Sequence, residues 1–260
     1  MVPVIRESRS WPGFLIPNFL YDRIELKEIK IMPILWYILI ALIPGLFWLW
    51  FFGRFDRERP EPWKLVARLF IWGMLATIPA IALELGIDFF IGYSTSIKLS
   101  VIIFSALLIV APIEECLKYF VVKRIVWKHP AFDETIDGII YCVVAALGFA
   151  SLENILVIIS TGSSKAILLR FATATLMHAL ASGIVGYYLG LAKFSKEKEK
   201  PLITQGIVIA IVLHGVYNII AATNTPLTIF LLTLLLIVMY IMLTSGIREI
   251  KKIRVRSKNI

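Results

Sequence analysis

Seven apolar runs, each long enough to cross a bilayer, alternate with short polar stretches along the chain. A crossing needs roughly 20 predominantly apolar residues. The runs lie at about Ile34 to Phe52, Leu65 to Ile91, Leu99 to Val126, Ile136 to Ser160, Ala166 to Ala192, Leu202 to Ala222 and Leu227 to Ile247. Hydrocarbon offers no partner for backbone N–H and C=O groups, so runs of this length are selected as helices. The pattern predicts an all-α fold, a polytopic membrane helix bundle of about seven transmembrane helices. It divides into an N-terminal polar or interfacial segment (1–30), a transmembrane domain (31–248) and a basic tail (249–260).

The polar stretches carry a second pattern. Arg54, Arg57, Arg59 and Lys64 follow the first run, Lys123, Arg124 and Lys128 the third, Lys193, Lys196, Lys198 and Lys200 the fifth, and Arg248 to Lys258 the seventh. The intervening stretches GYSTSIK, TGSSK and TNTP hold at most one lysine each. The positive-inside rule then expects a multi-pass protein of the cell membrane with its basic loops and C-terminus in the cytoplasm. Arg6, Arg9, Arg23, Lys27 and Lys30 fall on the other side in this scheme. A re-entrant first segment or an amphipathic helix lying on the membrane are the alternatives there. The opening MVPVIRESRSWPG lacks the apolar core and small-residue cleavage site of a signal peptide, so the first run is expected to act as an uncleaved anchor.

Composition agrees with this class. Of 260 residues 59% are hydrophobic and only 17% charged, against about 25% charged in a soluble domain, and the mean hydropathy is +0.84. The net charge of +9 is an orientation signal and an affinity for anionic lipid, and no nucleic-acid partner is expected. Cys116 and Cys142 lack CxxC spacing and are expected to be small buried side chains.

Against this background the polar residues inside the runs stand out, since a charge at the bilayer centre costs at least ~2.5–3.5 kcal/mol. APIEECLKYFVV places Glu114 and Lys118 four apart on one helical face, with Glu115 turned ~100° away towards a different neighbour. GFASLENI offers Phe149 and Glu153 with Asn154, ATLMHAL offers His178, and HGVYN puts His214 and Asn218 one turn apart. Two imidazoles and one or more carboxylates converging in a dry bundle are the ligand set of a catalytic zinc site, with one position left for water. A carboxylate outside that set is placed to take a proton from the water, which is the chemistry of peptide hydrolysis. Neither HExxH nor GxSxG occurs.

EECLK fits EExxK, FASLE fits FxxxE running into EN, a lone histidine follows on the next helix, and HGVYN fits HxxxN. In this order the motifs, from about Ala111 to Asn218, resemble the PrsW family of intramembrane proteases, relatives of the CAAX prenyl endopeptidases. FDETIDGIIY is similar to the family's loop before the fourth helix. The resemblance implies a membrane-embedded peptide hydrolase whose protease domain has its core at 111–218. Glu114 or Glu115 is then the general base, Glu153, His178 and His214 hold zinc or the water, and Asn218 ligates or stabilises the oxyanion. It also implies a membrane-anchored protein substrate, the best-known member cutting an anti-sigma factor on its extracytoplasmic side. This chain departs from the pattern at Asn218, where many members carry aspartate, and at Cys142, where a glycine is expected.

Two other classes are compatible with the same residues. A proton-coupled transporter would use the ionisable chain as a relay, but no internal repeat is evident. A non-catalytic scaffold related to the γ-secretase scaffold subunit has no need of the Glu114–Glu115 pair. Glu84 and Asp88 match no motif of the family, and a water-facing helix end or a contact with Arg170 is expected for them. Trp48, Trp50, Phe51 and Phe52 are expected to form an interfacial aromatic belt.

Overall fold

The computed structural model describes residues 31–56, 59–96, 98–161, 164–223 and 225–258, so the N-terminal segment 1–30 lies outside the described residues. The helices are α1 (Ile31–Gly53), α2 (Trp63–Ile91), α3 (Leu99–Ser105), α4 (Ala111–Val126), α5 (Thr135–Thr161), α6 (Ser164–Ala172), α7 (Ala174–Lys193), α8 (Glu199–Thr223) and α9 (Thr228–Lys258). Short 3-10 turns lie at Arg54–Asp56 and Lys196–Lys198, and no strand occurs among the described residues. Seven helical segments are long and apolar enough to cross a membrane, as the hydrophobic pattern predicts, and the chain is a multi-pass membrane protein.

Helix α5 is the axis of the bundle. Nearly every residue from Ile136 to Ser151 is buried, the signature of a helix surrounded by other helices. Association inside a bilayer relies on close packing rather than on exclusion of water, which favours small residues at the crossings. Gly138 on α5 meets α7 in this way: a Cβ there would lie 2.5 Å from the Gly186 carbonyl and 2.8 Å from the Gly190 nitrogen. On α2, Leu65, Leu69, Gly73, Ala76, Thr77 and Ala80 form the inward stripe. Helices α1 and α9 bury little of themselves and stand at the periphery.

Two of the seven spans are interrupted within their length. In the third, a π-helical turn, Ala106–Val110, joins α3 to α4, and the Ala111 N–H reaches back five residues to Ala106. Pro112 follows at once and has no N–H to donate four residues back, so the regular ladder is interrupted there. Gly215 of α8 seats against this turn, where a Cβ would come within 2.5 Å of Leu107 Cδ2. In the fifth, the chain breaks at Thr173, whose φ of −121° and ψ of −80° are not helical. Trp48 donates its indole N–H to the Phe171 carbonyl beside this break at 3.0 Å and stacks on the Phe171 ring. Trp48 and the buried Phe52 are therefore packing residues rather than parts of the expected belt, whereas Trp50 is 60% exposed.

The basic loops gather at one end of the bundle. Arg59 pairs with Glu134 at 2.9 Å, Lys123 with Glu199 at 3.5 Å, and Lys193 donates to the Trp127 carbonyl. At the same end Glu61, between α1 and α2, accepts from the Tyr141 hydroxyl. Burial, reinforced by the carboxylates of Asp137 and Asp56, pushes its carboxyl up to about 8. Cys142 is buried as expected, but Cys116 is exposed because its face of α4 points away from the bundle, and both are free thiols.

Candidate active site

Lys118 sits at the centre of the polar cluster and is 1% exposed. Its ammonium donates to Glu114 Oε2 at 3.1 Å, to Glu115 Oε1 at 2.8 Å and to His178 Nδ1 at 2.9 Å. It also lies 4.4 Å from the centroid of the Phe149 ring. Lys118 thus engages Glu115 as well as the Glu114 on its own face, since residues three and four apart are both neighbours on a helix. Glu115 does turn towards other helices as well: its Oε1 accepts from His214 Nδ1 at 2.9 Å and its Oε2 from the Ser182 hydroxyl at 2.9 Å.

The second half of the network hangs on the break in the fifth span. Arg170, at the end of α6, turns onto α5 and donates to Asn154 Oδ1 at 2.6 Å and to Glu153 Oε2 at 3.0 Å. Asn154 in turn donates to Thr175 Oγ1 at 3.1 Å, just beyond the break. Glu153 Oε2 accepts from His178 Nε2 at 2.8 Å. Arg170 therefore serves Glu153 and Asn154 rather than the Glu84–Asp88 pair. Asp88 accepts instead from the Ser94 N–H and hydroxyl at 2.8 and 2.5 Å, tying down the loop after α2.

Glu114, His178 and His214 are the group whose ligand atoms all lie within 4.8 Å of one another in this cluster, and all three residues are buried. Glu114 Oε2 is 3.8 Å from His178 Nδ1 and 3.9 Å from His214 Nε2. Zinc bonds of ~2.0–2.1 Å in a tetrahedron would place ligand atoms about 3.3 Å apart, about half an ångström less than each of these two distances. Each imidazole is held through its other nitrogen by a carboxylate, His178 by Glu153 and His214 by Glu115. That is the arrangement that fixes the tautomer and orientation of a metal-binding histidine. The donor set therefore fits a divalent metal, and Lys118 already marks the spot as one that attracts a cation. His178 Nδ1, which the ammonium already occupies, is the atom at which a metal would compete with it.

Of the residues singled out from sequence, Glu114, Glu115, Glu153, His178 and His214 are brought into one connected cluster. Glu153 stands on the far side of His178 and is not in the three-residue group. Asn218 is buried one turn beyond His214 on the same helix. Sequence reasoning missed Ser182. Its signal was a small polar residue one turn after His178, on the face already carrying the imidazole.

Residues 61–245 match the model of the family described as PrsW family intramembrane metalloprotease. Protease PrsW of Oceanobacillus iheyensis is 35% identical over 184 residues, 69% of this chain and 82% of that protein. Protease PrsW of Geobacillus kaustophilus is 35% identical over 178 residues, 68% of this chain and 76% of the relative. Protease PrsW of Bacillus subtilis is 30% identical over 223 residues, 82% of this chain and 94% of its own length. No solved structure matches the chain. The family match runs from the start of α2 into α9 and so takes in every residue of the buried cluster, and the chain belongs to the PrsW family of intramembrane metalloproteases, membrane-embedded enzymes that hydrolyse peptide bonds.

Proposed function

We propose that this protease carries zinc on Glu114, His178 and His214, with Glu115 and Glu153 behind the two imidazoles. The observation that supports this most directly is the approach of Glu114 Oε2 to one nitrogen of each histidine while the opposite nitrogen is engaged by a carboxylate. A metal bound there supplies Lewis-acid polarisation of the scissile carbonyl and acidifies a water. Glu115 would then accept the proton of the attacking water at Oε1 once the Lys118 ammonium has left that oxygen, and return it to the departing amine. Ser182 holds the other oxygen of Glu115 through its hydroxyl. Asn218, one turn from His214, is placed to donate its amide to the developing oxyanion.

The protease domain of this reading is 31–248, with its core motifs at 111–218. The basic loops and tail face the cytoplasm in accord with the positive-inside rule. Glu153 and His214 lie about 12–14 Å along their helices from the opposite, non-basic end, which favours cleavage in the extracytoplasmic half of the bilayer. The substrate is a membrane-anchored protein, and the anti-sigma-factor class is our proposal for it, resting on the motif resemblance.

Elemental analysis of detergent-purified protein tests the ligand set. Near-stoichiometric zinc in the wild type, lost in Glu114→Ala and in His214→Ala but only weakened in Glu153→Ala, is the expected result. Loss with Glu153→Ala and retention with Glu114→Ala would restore the arrangement expected from sequence, with Glu153 as ligand and Glu114 as base. No metal in the wild type after zinc is added back would remove zinc from the reading.

A further inference from the structure

Glu84 of α2 is itself half-buried but carries a buried acceptor oxygen that the chemistry above does not use. Its Oε1 is shut off from solvent and has no hydrogen-bond partner among the described residues. The nearby Tyr93 hydroxyl donates to the backbone carbonyl of Glu84 at 3.2 Å, and Asp88 accepts from Ser94. The charged groups within electrostatic range of the Glu84 carboxyl are Glu114, Lys118 and Glu153, the heart of the cluster. A lone buried acceptor is unfavourable for the free protein, and an apolar residue of similar shape in its place is neutral or stabilising. Keeping such a group beside a reacting centre has a physical rationale when a ligand brings the missing donor.

We propose that Glu84 is a substrate-positioning residue whose Oε1 accepts a backbone N–H of the substrate peptide next to the bond that is cut. The inference rests on the reading that cleavage occurs at the Glu114 cluster. It also defines the substrate class more narrowly. In hydrocarbon every N–H of an intact helix is already bonded within the helix, so only an unwound segment, or the first turn of a helix, has an N–H to give. Glu84 selects membrane-anchored substrates that present extended backbone at this depth, and it does so with little regard to side chains.

The test uses a pool of fluorogenic single-span peptides with varied cores containing glycine or proline, reconstituted with full-length enzyme in detergent micelles. A peptide cut by the wild type is then given to Glu84→Leu and Glu84→Gln, and thermal unfolding of each variant is followed without peptide. The expected result is a KM raised about tenfold in Glu84→Leu, as for one lost hydrogen bond, with kcat little changed. Glu84→Gln keeps the carbonyl acceptor and therefore stays near the wild-type KM. The unfolding temperature of Glu84→Leu should equal or exceed that of the wild type. A wild-type KM in Glu84→Leu overturns the proposal, and so does a fall in its unfolding temperature, which would make Glu84 structural. Failure of the wild type to cut any member of the pool also counts against it, because a backbone acceptor takes any unwound peptide. Full activity in Glu114→Ala would instead move the site of cleavage, a separate failure from that of Glu84.

Discussion

Replacing Lys118 by methionine tests whether the buried ammonium holds the metal-free site together. Methionine keeps an unbranched apolar stem against Phe149 but removes the charge that bridges Glu114, Glu115 and His178 at 2.8–3.1 Å. Both glutamates are almost wholly buried, so the change leaves two facing carboxylates without their shared cation. Removing one partner of a buried ion pair destabilises by about 3–5 kcal/mol. For a chain of this size each kcal/mol lowers Tm by about 2–4 °C, and the expected drop in chelator-treated protein is therefore about 6–20 °C. Intrinsic tryptophan fluorescence during heating in detergent reads it directly. Zinc has no ammonium to displace in this variant, so its addition should raise Tm by more than it does in the wild type. A metal-free Tm within about 2 °C of the wild type, or a smaller zinc-induced rise, would refute the reasoning.

Two further outcomes follow from contacts away from the centre. Arg170→Ala leaves Glu153 without its guanidinium partner and loosens the orientation of His178; metal affinity or activity should fall about 10–100-fold, measured by zinc titration and by peptide cleavage. Glu61→Gln should change how stability depends on pH. The Glu61 carboxyl ordinarily titrates near 4.5 and is pushed to about 8 by burial, so between these values the folded protein holds a proton that the unfolded chain has lost. The stability it contributes is full below pH 4.5 and is lost as pH rises through about 8. Thermal unfolding across this window should decline in the wild type and run flatter in Glu61→Gln, which becomes the more stable protein at alkaline pH.

Much of the fold was legible because the bilayer imposes a single rule, a run of apolar residues of sufficient length. The two irregular spans differed in how far they announced themselves. Pro112 is a local signal for the π-helical turn, since its missing N–H acts within one turn. The break at Thr173 has no glycine or proline behind it, and what accompanies it, the turn of Arg170 onto Glu153 and Asn154, is a tertiary contact. The grouping of the polar residues could be read from spacing because helices display residues three and four apart on one face. The partner of Arg170 was not legible, because Glu84, Asp88, Glu153 and Asn154 all lie in neighbouring runs at similar depth. Only the packing of α6 on α5 decides among them. Cys116 was misjudged for a related reason: an apolar run within a membrane bundle has a lipid face as well as an inner one, and both look alike in sequence.

The chain of contacts from Arg170 through Glu153, His178, Lys118 and Glu115 to His214 crosses five helices. In water a domain is assembled by its apolar core, and a catalytic centre is a local expense carried by that core. Lipid removes this division of labour, because apolar side chains gain little by leaving one hydrocarbon surface for another. On the reading proposed above, the reacting groups are then also the clasp that closes the bundle. An enzyme built this way gives up tertiary structure when it gives up chemistry, so its inactive variants should populate a loosened bundle rather than a well-folded but silent one.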